Sequence, residues 1–244
     1  MFPYRDDNPT LSPPVVTITL IALNVIVWVG VQGMGVDPAL TRSVCELGLI
    51  PGELLGRVAA GTELPLGQGA ACVLGVERVW YTPLTSMFLH GGWFHLIGNM
   101  WFLWLFGNNV EDSMGKLRYF VFYMLSGLAA AGSQMFINPS SIVPMVGASG
   151  AISGVMGAYV VLYPRVRIHM LVFLFLFVTR IVVPAYLMLG YWFLLQLIGG
   201  GAAQGEGGVA FWAHVGGFVA GALLISIFKD KQLVAQHRAL AGYV

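Results

Sequence analysis

Six apolar runs, each close to the length of a bilayer crossing, alternate with more polar connections along this chain of 244 residues. A helix needs about 20 apolar residues to cross the hydrocarbon layer. Inside that layer every backbone N–H and C=O must find a partner within the protein, so only helices and closed barrels cross it. The runs cover residues 15–32, 92–106 with apolar flanks, 119–137, 147–163, 181–198 and 210–228. Hydrophobic residues make up 57% of the chain and charged residues 9%, against about a quarter charged in soluble domains. The pattern predicts an all-α membrane protein, a single six-span helical bundle over residues 15–228.

The flanks follow from the same pattern. Residues 1–14 read as a polar N-terminal segment, residues 33–81 as a long loop with Leu-rich pieces that suit short surface helices, and residues 229–244 as a tail. The first run is too long, and its flank too little cationic, for a cleaved signal peptide, which predicts a retained span. Gly107-Asn108-Asn109 with Glu111-Asp112 reads as the end of the second span. Residues 169–178 are apolar but too few to cross as a helix, and are expected at the interface or tucked beneath the bundle.

Lys and Arg set the orientation. One side collects Arg5, Lys116, Arg118, Arg165, Arg167, Arg180, Lys229, Lys231 and Arg238; the other holds Arg42, Arg57 and Arg78. The positive-inside rule then places both termini in the cytoplasm. Net charge is +1, with no basic run of the kind that binds nucleic acid. The chain lacks a phosphate loop, a CxxC pair, an EF-hand loop and internal repeats.

In this topology the second, fourth and sixth spans run the same way, so their N-terminal turns share one depth near the outer surface. Those turns carry His95, Ser149 and His214. A serine hydroxyl is a poor nucleophile until a base takes its proton. An ionisable group inside a span is costly and points to function. His214, Gly217 and Gly221 stand at i, i+3 and i+7, and Gly147, Gly150, Gly154 and Gly157 form a second small-residue stripe. Two such faces let backbones approach closely, which brings an imidazole toward Ser149; stripes of this kind also serve plain helix packing. His95 and Asn99 at i, i+4 share one face and suit the stabilisation of an oxyanion. His90 reads as a structural hydrogen-bonder. Three histidines could also ligate a metal, but there is no H-E-x-x-H and no acid within these three spans, so neither metal nor cofactor is expected.

Gly147-Ala148-Ser149-Gly150, His90-x4-His95-x3-Asn99 and Ala213-His214-x2-Gly217-x3-Gly221 together resemble the rhomboid intramembrane serine proteases, over about residues 85–221. The resemblance implies a Ser-His dyad without an acidic third member. Ser149 is then the nucleophile and His214 the base, with His95, Asn99 and the Ser149 N–H around the oxyanion. Glu111 matches an acidic position of the family that looks structural. The implied activity is a serine-type endopeptidase that cuts transmembrane protein substrates near the outer face of the plasma (inner) membrane. The alternative is a non-catalytic membrane chaperone or small-solute transporter, although no pair of interrupted halves of the transporter kind is present.

Two departures matter. Tyr81-Thr82 replaces the family's Trp-Arg, and Ser153 stands where one branch has a tyrosine stacked on the histidine. Ser153 lies about 6 Å below Ser149 by helical rise and is the rival nucleophile. Cys45 and Cys72, the only cysteines, both fall in the first loop. On the outer side of a membrane such a pair can persist as a disulfide; the alternative is two unpaired thiols buried under the loop.

Overall fold

The computed structural model describes residues 2–67, 70–75, 79–174, 177–202 and 209–240. Its long helices are α1 (Val15–Gly30), α5 (Trp93–Met114), α6 (Lys116–Ile137), α7 (Ser149–Leu162), α8 (Ala185–Ala202) and α9 (Phe211–Phe228). Short helices α2 (Ala39–Leu47), α3 (Pro51–Leu54) and α4 (Thr82–Thr85) lie in the first loop, and α10 (Lys231–Leu240) follows the bundle. Helix α7 is central, packed against α9, α6 and α5. Its own Tyr159 and the surrounding Phe106, Tyr119, Phe122 and Tyr123 are fully buried in one core. Outward faces keep apolar side chains such as Ile26, Leu117, Leu223 and Ile227 exposed, the arrangement expected where lipid rather than water surrounds a bundle.

Among the described residues three helices, α6, α8 and α9, are by length and composition apolar enough to cross a membrane. Helices α1 and α7 are apolar but shorter. Helix α5 has the length, with 22 residues, but carries two acids at its C-terminal end.

The second long helix does not end at Gly107-Asn108-Asn109, where the sequence suggested. It continues to Met114 and stops at Gly115, whose φ of +79° is a left-handed conformation. Gly107 is accommodated because Tyr119 and Thr17 pack directly against it. The two acids are used rather than solvated. The Glu111 carboxylate accepts hydrogen bonds from the N–H groups of Val16 and Thr17, at 3.0 and 2.9 Å, and from Thr17 Oγ1 at 2.9 Å. Asp112 accepts from the Leu11 and Ser12 N–H groups and from Ser12 Oγ. An anion at the start of α1 satisfies N–H groups that a helix cannot satisfy itself.

The all-α expectation also needs correction. Strands β1 (Phe2–Asp6), β4 (Arg167–Leu174) and β5 (Phe177–Pro184) form an antiparallel sheet in the order β1-β4-β5. Of the stretch 169–178, residues 169–174 lie on β4 and 177–178 on β5, with 175–176 outside the described residues, and the fifth long helix starts at Ala185 rather than near Ile181. Ile168, Val172, Phe173, Val178, Thr179, Ile181, Val182 and Val183 are β-branched or aromatic, which favours strands, and Ile168 and Met170 alternate inward as a strand requires. The N-terminal segment is drawn into this sheet: Tyr159 donates a hydrogen bond to Asp6, at 2.5 Å, and Asp7 pairs with Arg167 and His169.

In the first loop a second hairpin, β2 (Thr62–Gly67) with β3 (Ala70–Leu74), accompanies the short helices. Cys45 on α2 and Cys72 on β3 are joined as a disulfide, Cα to Cα 5.4 Å. The loop is tied to the chain entering α7 by an antiparallel bridge between Leu49 and Met145, with N–H to O distances of 3.0 and 2.7 Å.

Candidate active site

Helices α5, α7 and α9 begin at one end of the bundle, and each carries a chemically capable side chain in its first two turns. His95 and Asn99 of α5, Ser149 of α7 and His214 of α9 line one cavity of about 410 Å³, together with Gln134 and Asn138. Free N–H groups and the positive end of the helix dipole meet there, which suits an anion.

Close helix contact brings the pieces together. A Cβ added to Gly217 would collide with the Gly150 carbonyl oxygen, and one on Gly221 with that of Gly154. Helices α7 and α9 can therefore touch backbone to backbone. At the head of this seam His214 Nε2 stands 2.8 Å from Ser149 Oγ, and both residues are half-buried. On the other side of the ring, Nδ1 is 2.8 Å from Gln196 Oε1 of α8. The Trp192 ring lies beside the imidazole at 5.9 Å between centroids. Gln196 and Trp192 thus flank the histidine ring.

The second group of donors faces Gly147. The Gly91 N–H donates to His95 Nδ1 at 3.3 Å, which leaves Nε2 as the protonated nitrogen. Gly147 has φ +130°, and a Cβ there would lie 2.8 Å from His95 Nε2 and 3.5 Å from Asn99 Nδ2. Only glycine allows both that conformation and that approach. Asn99 Nδ2 is buried and, among the described residues, has no hydrogen-bond partner. A buried amide left unpaired costs about 1–3 kcal/mol, and such an orphan needs an explanation. Ser149 opens its helix, so its own N–H has no acceptor within it.

Ser153, His90 and Glu111 do not line that cavity. Ser153 is fully buried and donates to the Ser149 carbonyl at 2.6 Å. His90 is held through its main chain, which exchanges hydrogen bonds with the Gln32 amide at 2.7 and 2.8 Å. Its buried ring packs edge-on against His95. Glu111 is not near the site. It lies twelve residues along α5 from Asn99, about 18 Å by helical rise. Sequence reasoning missed Gln196, although it is the single amide or charged side chain on the apolar α8, and a lone polar residue in a span is itself a signal.

The chemistry available is proton transfer between a hydroxyl and an imidazole, beside donors aimed at a common point. This is the equipment for acyl transfer.

Known proteins match the same region. A family model described as Rhomboid domain matches residues 77–231. Rhomboid protein 1, mitochondrial, of Saccharomyces cerevisiae is 30% identical over 154 residues, 60% of this chain and 42% of that protein. The rhomboid protease GluP of Bacillus subtilis is 33% identical over 144 residues, 58% of this chain and 25% of that protein. Rhomboid-like protein 11, chloroplastic, of Arabidopsis thaliana is 37% identical over 75 residues, 31% of this chain and 26% of that protein. The chain spans between a quarter and under half of the length of these relatives. The family match runs from before α4 to the start of α10 and takes in every residue of the cavity named above. With its apolar helices and that match over more than half its length, the chain is an integral membrane protein of the rhomboid family.

Proposed function

We propose that this protein is an intramembrane serine endopeptidase that cuts transmembrane protein substrates near the outer membrane face, using Ser149 and His214 as a dyad. The observation that carries the reading is the 2.8 Å separation of Ser149 Oγ and His214 Nε2, inside a cavity that also receives the unpaired Asn99 amide. In this reading α1, α5, α6, α7, α8 and α9 are the six spans. The unequal distribution of Lys and Arg supports cytoplasmic termini and a site near the outer surface.

The steps follow from the geometry. As Ser149 Oγ bonds to the scissile carbonyl carbon, its proton passes to His214 Nε2. The carbonyl oxygen becomes an oxyanion that accepts from His95 Nε2–H, Asn99 Nδ2–H and the Ser149 N–H. The imidazolium returns the proton to the leaving amine nitrogen, and the C–N bond breaks to leave an ester on Ser149. Water then gives a proton to His214 while its oxygen bonds to the ester carbon. The bond from that carbon to Ser149 Oγ breaks, the imidazolium returns the proton to Oγ, and the new carboxylic acid end leaves. Gln134 and Asn138 offer polar groups that keep water in the cavity.

The deciding experiment combines cleavage of a membrane substrate with labelling by a fluorophosphonate probe. Ser149→Ala and His214→Ala are expected to lose both while the protein stays folded, and Ser153→Ala to keep both. Cleavage that persists in folded Ser149→Ala protein sinks the proposal. A wild-type protein that neither labels nor cleaves points to a non-catalytic member of the family.

A further inference from the structure

We infer that Gln196 is a positioning residue for the dyad: a neutral amide that holds the His214 imidazole in the tautomer with its proton on Nδ1. The inference rests on the reading of Ser149 and His214 as a proton-transfer pair, and goes beyond it by assigning the third partner.

Helix α8 offers the amide no other purpose. Its sequence, Ala185–Ala202, is otherwise apolar, aromatic or glycine, and an amide facing hydrocarbon is costly unless partnered. Both ends of Gln196 are engaged. Its Nε2 donates to the Trp192 carbonyl one turn earlier, at 3.4 Å, which leaves Oε1 facing the histidine at 2.8 Å. An amide oxygen only accepts, so Nδ1 must carry the proton. Nε2 is then bare and turned to Ser149 Oγ, the state a general base requires. The Trp192 ring stands beside His214 and also meets Phe218, the next turn of α9, at 6.1 Å. The ring is thereby held on a second side.

A carboxylate in this place both orients the imidazole and stabilises the imidazolium. A neutral amide orients it but supplies no charge. The proton that arrives from Ser149 stays on Nε2, since the amide oxygen does not take the one on Nδ1. Gln196 therefore acts through His214 and touches neither substrate nor oxyanion.

The test pairs two variants of the full chain in detergent or vesicles, with kcat, KM and the pH profile measured on a transmembrane-segment peptide. Gln196→Leu keeps the size and removes the acceptor; kcat is expected to fall on the order of tenfold, the scale of one hydrogen bond, with KM unchanged. Gln196→Glu restores an acceptor; kcat should return to within about threefold of wild type, and the acid limb of the profile should move to higher pH because an anion beside His214 favours its charged form. Nitrogen NMR of histidine-labelled protein reads the tautomer directly: a bare Nε2 in wild type and Gln196→Glu, a mixture in Gln196→Leu. A folded Gln196→Leu protein with wild-type kcat, profile and tautomer overturns the inference. If Gln196→Leu does not fold, Gln196→Glu decides alone, and lost kcat with an unmoved acid limb overturns it. Loss of all cleavage and probe labelling in wild type, with the tautomer still dependent on Gln196, defeats the protease reading but not the positioning one.

Discussion

Gly217 of α9 lies against Gly150 of α7 so closely that no side chain carbon fits between them: a Cβ on Gly217 would strike the Gly150 carbonyl oxygen. Ser149 precedes Gly150, and His214 stands one turn before Gly217. The contact between the two glycines therefore sets the separation between the Ser149 hydroxyl and the His214 imidazole, the proposed nucleophile and base, and helix packing and proposed chemistry share one seam.

Gly217→Ala is expected to force the two helices apart. Overpacking of this kind typically costs about 1–3 kcal/mol, so thermal unfolding in detergent should occur at lower temperature. Fluorophosphonate labelling should fall further than the loss of folded protein explains. Gly132→Ala in α6, where nothing lies within 4 Å of an added Cβ, serves as the control and should change neither.

Asn99→Ala removes a donor with no other partner among the described residues. Loss of one oxyanion donor lowers kcat roughly 10²–10³-fold, and KM should hardly move. Labelling of Ser149 by the probe should suffer less than turnover. His95→Ala should act in the same direction, and it also releases the Gly91 N–H that His95 accepts. Unchanged turnover in both variants would place the oxyanion donors elsewhere.

Asp6, outside the spans, gives a pH dependence of definite sign. Burial pushes its pKa up from 3.8 to about 6, against the opposing hydrogen bond from Tyr159. The folded state thus holds the proton more tightly than the unfolded chain. Asp6 costs nothing below the unfolded pKa, and ionising the half-buried carboxyl becomes progressively unfavourable as pH rises from about 4 through 6. The linkage relation limits that cost to about 3 kcal/mol. Asp6→Asn should remove it, so the stability gained by the variant over wild type should grow across this window and level off above it. Thermal unfolding at a series of pH values checks this, and a gain independent of pH would refute it.

The Cys45–Cys72 disulfide closes a long loop, with a sequence separation of 27. The chain-entropy model gives roughly 3.5 kcal/mol for a closure of that length. Reduction should lower thermal stability measurably. Its effect on cleavage should be smaller, because the bridge joins α2 to β3 and neither cysteine lines the cavity. Alkylation before and after reduction, followed by mass spectrometry, scores the bridge, and unfolding curves score its effect.

The sequence by itself determined where the long apolar helices lie, since transfer out of water depends on composition and needs no partner. It also determined that a serine, two histidines and an asparagine occupy N-terminal turns of helices running the same way. Beyond the Cys45–Cys72 pair and the approach of His214 to Ser149, it was silent on what depends on a distant neighbour. Gly107-Asn108-Asn109 with Glu111-Asp112 reads as a helix end until Tyr119 and Thr17 pack onto Gly107 and the entering chain supplies donors to the two acids. Residues 167–174 and 177–184 are largely apolar in either reading, and the pairing of β4 with β1 and with β5 decides that they are strands. A hydrogen bond between Gln196 and His214 requires two helices to present one residue each at 2.8 Å, and composition along one chain carries no information about that register. Tertiary packing alone turned a scattered set of capable side chains into one cavity, because angstrom-scale distances between helices are set by the small residues between them.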